Sequence, residues 1–142
     1  MTRRTHQENA ARVAADLQRV DKLARLVLDS SLRELLRESA TGRIEVESNG
    51  VRVGHVSVDG KPDSETLKLA KVLTYRHLER RGFGSQALKQ LADLARADGF
   101  KRIVGEITQG DLELQPWLPG WYEAIGFTVT KNGNGRDLRM DL

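Results

Sequence analysis

The segment Glu79-Arg80-Arg81-Gly82-Phe83-Gly84-Ser85 constrains the fold of this chain most, because two glycines one residue apart separate two different patterns. Before it, residues 66 to 74 are typical of a strand. After it, residues 85 to 98 place apolar side chains at helical spacing, and Gly99 offers a left-handed cap. A further strand is expected at residues 102 to 107. A strand, a helix and a second strand in succession form a parallel crossover, so the sequence predicts an α/β fold with a mixed sheet.

The glycine segment is also a candidate anion site. The first N–H groups of a helix lack intrahelical partners and lie at the positive end of the helix dipole, and glycine lets a ligand approach the backbone closely. Residues 71 to 102 carry eight Lys and Arg against three acids, a net charge of +5 that exceeds the +3 of the whole chain. A phosphate group is therefore expected here. The alternative interpretation is a tight turn that needs glycine for packing alone.

The rest of the pattern predicts one domain over residues 1–142, with helices in residues 1–40 and the sheet in residues 43–142. An amphipathic helix is expected over residues 6 to 28, which we interpret as a cover for the sheet, with a dimer interface or an arm for another partner as alternatives. The other predicted elements are a short helix over residues 31–39, strands on both sides of Asn49-Gly50, a helix over residues 116–124, and a closing hairpin over residues 127–142.

Composition narrows the possible chemistry. Hydrophobic residues at 39% and charged residues at 30% are ordinary for a globular protein. No run approaches the roughly 18 apolar residues that span a bilayer, and the N-terminus does not resemble a secretory signal, so we expect a cytoplasmic protein without a membrane partner. The absence of cysteine excludes disulfides, thiolate metal sites and a Cys nucleophile. The three histidines lack ligand spacing, so no metal is expected.

A second motif, Trp121-Tyr122-Glu123-Ala124-Ile125-Gly126-Phe127, stands about forty residues after the glycine segment. Together with Arg80-Arg81-Gly82-Phe83-Gly84-Ser85 and the Leu- and Ala-rich helix behind it, this motif resembles the two signature segments of the GNAT superfamily of N-acyltransferases. The resemblance covers residues 43 to 142. It implies a mixed, mostly antiparallel sheet that splays between its two parallel central strands.

The resemblance also implies a function. The chain would move an acetyl group from acetyl-CoA, used as co-substrate, to a primary amine by direct attack. Pyrophosphate would bind the backbone amides of the glycine segment, and pantetheine would pair with the first of the two parallel strands. The implied cofactor-binding residues are Val72, Leu73, Thr74, Arg80, Arg81, Gly82, Phe83, Gly84 and Ser85.

Two departures from the family pattern stand out. Glu79 occupies the position, three residues before the first loop glycine, where the family usually has Arg or Gln. A carboxylate near a diphosphate is unfavourable unless it points away. The family's first strand also has no counterpart in the pattern, which predicts either a sheet one strand shorter or an edge covered by another subunit in a homodimer.

Acyl transfer from a thioester to an amine needs a neutral amine, a stabilised oxyanion and a protonated leaving thiolate. Tyr122 matches the family tyrosine near the CoA sulfur and is the candidate acid, with simple packing as the alternative. The backbone N–H of Leu73 or Thr74 is the candidate oxyanion donor. Glu106, a charged residue in the middle of an apolar strand, is the candidate base, or equally a surface residue.

Other residues are weaker candidates for the base: Glu65, Asp111, His55 and His77. The segment from Pro116 to Trp121 is expected to border the acceptor cleft, and the acidic, loop-like residues 109–113 would favour a cationic amine. The acceptor would be a small molecule or a protein. Two alternatives remain open: a GNAT-like module that binds CoA or a partner without catalysis, and a protein that binds or modifies nucleic acid through its basic face.

Overall fold

The computed structural model describes residues 23–39, 42–75 and 82–142. Its strands are β1 (Arg25–Val27), β2 (Arg43–Ser48), β3 (Val51–Asp59), β4 (Thr66–Thr74), β5 (Arg102–Ile107), β6 (Thr128–Asn132) and β7 (Gly135–Asp141). Its helices are α1 (Leu32–Glu38), α2 (Phe83–Ala97), α3 (Gln109–Leu114) and α4 (Leu118–Ile125).

Within the described residues, the strands form one seven-stranded sheet in the order β1-β2-β3-β4-β5-β7-β6. Every neighbouring pair is antiparallel except β4 and β5, which are parallel. The β4–β5 ladder ends at the pair Leu69↔Gly105, although β4 continues to Thr74 beside β3 and β5 continues to Ile107 beside β7. The two central strands therefore diverge, and the predicted α/β fold with its splayed mixed sheet is confirmed.

Helix α2 covers one face of this sheet, as the crossover between parallel strands requires. Its apolar stripe is buried, and it belongs to one continuous core with the inward-facing residues of β2 to β5. The buried α2 residues are Phe83, Ala87, Leu88, Leu91, Ala92 and Ala95. Gly84 in the first turn of α2 lies near Thr74 at the end of β4, so this turn stands beside the place where β4 and β5 diverge.

The N-terminal prediction is wrong in its described part. Residues 25–27, expected in a helix over residues 6–28, form the edge strand β1, in which Leu26 pairs with Val46. Two glutamines of α2 hold this strand: Gln86 Oε1 accepts from Ala24 N at 2.7 Å, and Gln90 binds Leu26 N at 2.9 Å and Ala24 O at 2.6 Å. Tertiary partners thus override the local helical pattern. The rest of that predicted helix lies outside the described residues.

Strand β1 also corrects the expectation of a missing first strand, because it precedes α1 and completes the sheet edge.

The acidic stretch of residues 109–113, expected as a loop, forms helix α3. This helix begins with a capping box: Thr108 Oγ1 accepts from Asp111 N, and Asp111 Oδ2 accepts from Thr108 N. The predicted helix at residues 116–124 begins two residues later, at Leu118, and ends at Gly126 with a φ of 125°.

Candidate functional site

A cleft of about 540 Å³ lies beside the end of β4, past the point at which β4 and β5 stop pairing. Strand β4, the first turn of α2 and the segment from the end of α3 into α4 all contribute to its walls. The lining residues are Val72, Thr74, Gly82, Phe83, Gly84, Ser85, Leu114, Gln115, Trp117, Leu118, Trp121 and Tyr122. The structure therefore brings the glycine segment and the Trp-Tyr motif, which are far apart in the sequence, to opposite walls of one cleft.

The two loop glycines are required for different reasons. Gly82 has a left-handed φ of 80°, and a Cβ there would meet nothing closer than Gln86 Nε2 at 4.0 Å, so backbone conformation selects glycine at this position. Gly84 lies in the helix, where a Cβ would stand 3.2 Å from Trp121 Cζ2 and 3.7 Å from Thr74 Oγ1. Packing against the opposite wall therefore selects glycine at the second position.

Helix α2 begins without a side-chain cap. Its N-cap residue is Gly82, which has no side chain to accept from the first amides, and no acidic residue stands in the first turn. The Gln86 N–H donates to Gly82 O, so the helical ladder starts there and leaves the preceding amides of residues 83–85 outside it. Uncapped amides at the positive end of a 15-residue helix favour an anion in the cleft.

The end of β4 presents alternate backbone groups to the two sides. Tyr75 N donates to Val53 O on β3 at 2.9 Å, and a Cβ on Gly54 would collide with Leu73 O, so residues 73 and 75 direct their backbone groups to β3. Because this direction alternates along a strand, Val72 and Thr74 direct theirs toward the opening. Val72 and Thr74 line the cleft, whereas Leu73 does not.

A series of aromatic rings forms the opposite wall. Trp117 and Trp121 meet edge to face with centroids 6.3 Å apart, followed by Trp121 and Tyr122 at 4.9 Å and by Tyr122 and Phe127 at 5.5 Å. Burial, and secondarily the negative charge of Asp111, raise the pKa of Tyr122 from 10 to about 12. Tyr122 is therefore a protonated hydroxyl that lines the cleft, able to donate a hydrogen bond at any ordinary pH.

The family model of the acetyltransferase (GNAT) family matches residues 11–118, about three quarters of the chain. The chain belongs to the GNAT acetyltransferase family. A search of curated protein sequences gives no match.

Solved structures share the fold of this GNAT domain. The PaiA N-acetyltransferase of Thermoplasma acidophilum, in complex with coenzyme A, matches with a TM-score of 0.57 and 11% identity over 70% of this chain and 60% of its own. A Bacillus subtilis acetyltransferase in complex with CoA matches at 0.58 and 14%, over 84% and 97% of the two chains. YncA of Salmonella typhimurium, with its cofactor acetyl-CoA, matches at 0.58 and 23%, over 78% and 68%.

At these identities the likeness shows the fold alone. This chain spans less than two thirds of the length of the Thermoplasma protein.

The carboxylates expected as bases lie outside the cleft lining. Glu106 is exposed on β5, where it pairs with Asp137 of β7, whereas its neighbour Ile107 is buried in the core to which α2 contributes. Glu106 therefore lies on the face of the sheet opposite to α2. Glu65 precedes β4 at the far end from Val72 and is exposed. Asp111 is engaged in the capping box of α3.

His55, a weak candidate from sequence, has an unusual setting in the structure. It is buried on β3, between Glu45 of β2 and Leu73 of β4. Burial, reinforced by the positive charges of Arg43 and Lys71, lowers its pKa although Glu45 acts in the opposite sense. Among the described residues, neither His55 Nδ1 nor Glu45 Oε2 has a hydrogen-bond partner. His55 does not line the large cleft.

Several sequence-based expectations fall on residues that the structure does not describe: Arg80, Arg81, Glu79 and His77.

Over residues 23–39, 42–75 and 82–142, no group of three or more His, Asp or Glu side chains is placed to hold a metal ion. None of the helices in these segments is long and apolar enough to cross a membrane.

Proposed function

We propose that this GNAT acetyltransferase transfers an acetyl group from acetyl-CoA directly to a primary amine. The observation that carries the proposal is the cleft beside the end of β4, because it combines two recognition elements in one continuous space. One is the uncapped first turn of α2, and the other is the free side of β4 at Val72 and Thr74.

These two elements match the two polar parts of acetyl-CoA. The pyrophosphate is an anion and binds the amides of Phe83, Gly84 and Ser85, with Gly82 shaping the turn. Arg80 and Arg81 precede this turn in the sequence and add positive charge to it. The pantetheine arm carries two amides, which pair with backbone groups of Val72 and Thr74 as an added strand would. The third β4 residue expected to bind it, Leu73, directs its backbone groups to β3 and therefore does not pair with the pantetheine arm.

The same arrangement supplies the chemistry of the acyl group. The amine nitrogen attacks the thioester carbon, and the Thr74 N–H, which faces the opening, donates to the resulting oxyanion. Tyr122 donates a hydrogen bond to the departing sulfur. A thiol has a pKa of about 8.5, so complete proton transfer from a phenol with a pKa of about 12 would be uphill by about 5 kcal/mol. Tyr122 therefore stabilises the departing thiolate by donating a hydrogen bond and keeps its proton.

The acceptor approaches from the opposite side of the sheet. The cleft holding acetyl-CoA lies on the α2 face, so the amine reaches the acyl carbon from the face that carries Glu106. We propose Glu106 as the base that removes the amine proton, directly or through water.

The decisive measurement is thiol release from acetyl-CoA in the presence of a panel of primary amines, together with calorimetric titration of acetyl-CoA alone. Tyr122→Phe is expected to lower kcat by about 100-fold while changing the Kd of acetyl-CoA little, because the hydroxyl donates its hydrogen bond only to the developing thiolate. The matched control is Tyr75→Phe, which deletes the other tyrosine hydroxyl of the chain and should retain activity.

The outcomes separate the alternatives. Binding without thiol release for any amine would favour a CoA-binding module without catalysis. No binding of acetyl-CoA at micromolar protein would refute the proposal altogether. Equal activity of the Tyr122 and Tyr75 variants would remove Tyr122 from the chemistry but leave acetyl transfer standing. For Glu106, the Glu106→Gln variant should lose about 100-fold in kcat, whereas Glu123→Gln on the exposed side of α4 should not.

A further inference from the structure

Two large apolar side chains are exposed at the rim of the cleft. Trp117 is 56% exposed and Leu114 is 85% exposed, and both line the cleft. Within the described residues, the only other large hydrophobic side chain so exposed is Leu23, at the other end of the described chain. Exposed apolar side chains that are grouped and bordered by polar residues often mark a ligand-binding groove or an interaction site.

The aromatic wall fixes where this rim lies along the cleft. Tyr122 contacts the buried ring of Phe127 at the inner end, and Trp121 stands beside Gly84, at the first turn of α2. Trp117 follows Trp121 outward, at the N-cap of α4, with its ring perpendicular to that of Trp121 at 87°. The exposed indole is therefore one ring further out than the level of the anion-binding turn.

We propose that Trp117 and Leu114 bind the adenine ring of acyl-CoA, an inference that rests on the function proposed above. In CoA the pyrophosphate separates pantetheine from adenosine. With pyrophosphate at the first turn of α2 and pantetheine directed inward along β4, the adenosine must extend outward, past the level of Gly84. The purine is the one flat aromatic part of the ligand, and an exposed indole offers it a stacking partner.

The acceptor amine is a poorer occupant for this rim. Trp117 lies on the same side of the sheet as the first turn of α2, since the two together line one cleft. Glu106 lies on the opposite face. An acceptor that met both Trp117 and Glu106 would have to pass through the space that pantetheine fills.

The test compares two acyl donors: acetyl-CoA and acetyl-4′-phosphopantetheine, which lacks the adenosine with its 3′-phosphate and one phosphate of the pyrophosphate. Because an aromatic side chain stacked on a base contributes about 5- to 150-fold in affinity, Trp117→Ala should raise the Kd of acetyl-CoA by a factor in that range. The Kd of acetyl-4′-phosphopantetheine should not change. Trp117→Phe keeps an aromatic face and should retain most of the affinity. Trp117 is exposed, so these variants are expected to fold normally.

A second readout does not depend on turnover. In the Trp121→Phe variant, Trp117 is the sole tryptophan of the chain. Adenosine 3′,5′-bisphosphate, the adenosine half of CoA, should quench its fluorescence upon stacking.

Three results would overturn the inference while leaving acetyl transfer intact. These are an equal loss of affinity for both donors, an unchanged Kd for acetyl-CoA, and a change confined to the KM of the acceptor amine. A wild-type protein without affinity for acetyl-CoA would instead overturn both this inference and the function on which it rests.

Discussion

Replacing Gly84 by valine tests two reasons for a glycine at this position. The first is packing against Trp121, and the second is access of a ligand to the backbone amides of the first turn of α2. A Cβ at this position would stand 3.2 Å from Trp121 Cζ2, 3.5 Å from Trp121 Cη2 and 3.7 Å from Thr74 Oγ1. Alanine adds one tight contact but gains up to about 1 kcal/mol of helix propensity, so Gly84→Ala should be nearly neutral for stability. Valine adds two more carbons against these atoms and should destabilise the fold by about 1–3 kcal/mol.

The indole is the obstacle that can be removed. Trp121→Phe deletes the ring atoms Cζ2 and Cη2 that a side chain at position 84 would meet. The double variant Gly84→Val/Trp121→Phe should therefore be more stable than the sum of the two single effects predicts, with a coupling of about 1–2 kcal/mol. The assay is urea unfolding followed by circular dichroism, because the tryptophan signal itself changes. Additive free energies of unfolding would refute the packing argument.

Ligand affinity tests the second reason. Gly84→Val should weaken acetyl-CoA binding, and this loss should persist in the double variant, since the added carbons would still lie beside the anion-binding amides. Gly82→Ala is the matched control: its cost of about 1–2 kcal/mol comes from the left-handed φ of 80°, so Trp121→Phe should not relieve it. Full affinity in Gly84→Val would count against a phosphate path over this turn.

Three further predictions concern stability and use urea unfolding. The folded-state pKa of His55 lies below its unfolded value. Its contribution to the free energy of unfolding is therefore fully present above about pH 6.5 and is lost as pH falls through the folded pKa. His55→Gln should flatten this pH dependence, and an unchanged pH profile of stability would contradict the role of His55. Arg33 donates to Pro62 O, Ser64 O and Asp98 O, and its guanidinium lies 4.0 Å from the centre of the Phe100 ring. Arg33→Ala should therefore lower the free energy of unfolding by about 2–4 kcal/mol, and Arg33→Lys by somewhat less. Equal stability of the wild type and Arg33→Lys would refute the role of the planar guanidinium. Gln90→Leu should cost about 1–3 kcal/mol and increase hydrogen exchange in β1 before other strands; uniform exchange would show that β1 does not depend on Gln90.

The sequence predicted the parts of the fold that local chemistry determines. Asn49, with a φ of 50°, and Gly50 form the turn between β2 and β3, and the periodic stripe of α2 is buried as expected. Strand β1 could not be found in this way. Its three residues lie in a pattern that suits a helix, and what makes them a strand is pairing with β2 and hydrogen bonds to Gln86 and Gln90, more than 60 positions away. Helix α3 had a local signal, the Thr108-x-x-Asp111 capping box, that the acidic composition obscured.

The site shows the same division. The sequence indicated that Gly84 and Tyr122 belong to one site, and both line the cleft. It left open whether Leu73 or Thr74 directs its N–H to the ligand, because that depends on strand pairing with β3. It also gave no indication that Trp121 packs against Gly84, since this contact exists only after α4 closes the cleft.

The irregular pairing of β4 explains why the cleft has a built-in recognition surface. The register between β3 and β4 shifts at Ser57/Val58, where Leu69 and Lys71 take consecutive partners and Ala70 is left over. Such a bulge bends and twists a strand, and the β4–β5 ladder ends at Leu69, immediately before it. Past the bulge, the described residues of β5 do not pair with Val72 or Thr74, which line the cleft. The pantetheine arm proposed above would pair with the backbone groups of these two residues through its amides, so the bulge that opens the sheet would also provide the recognition surface for that arm.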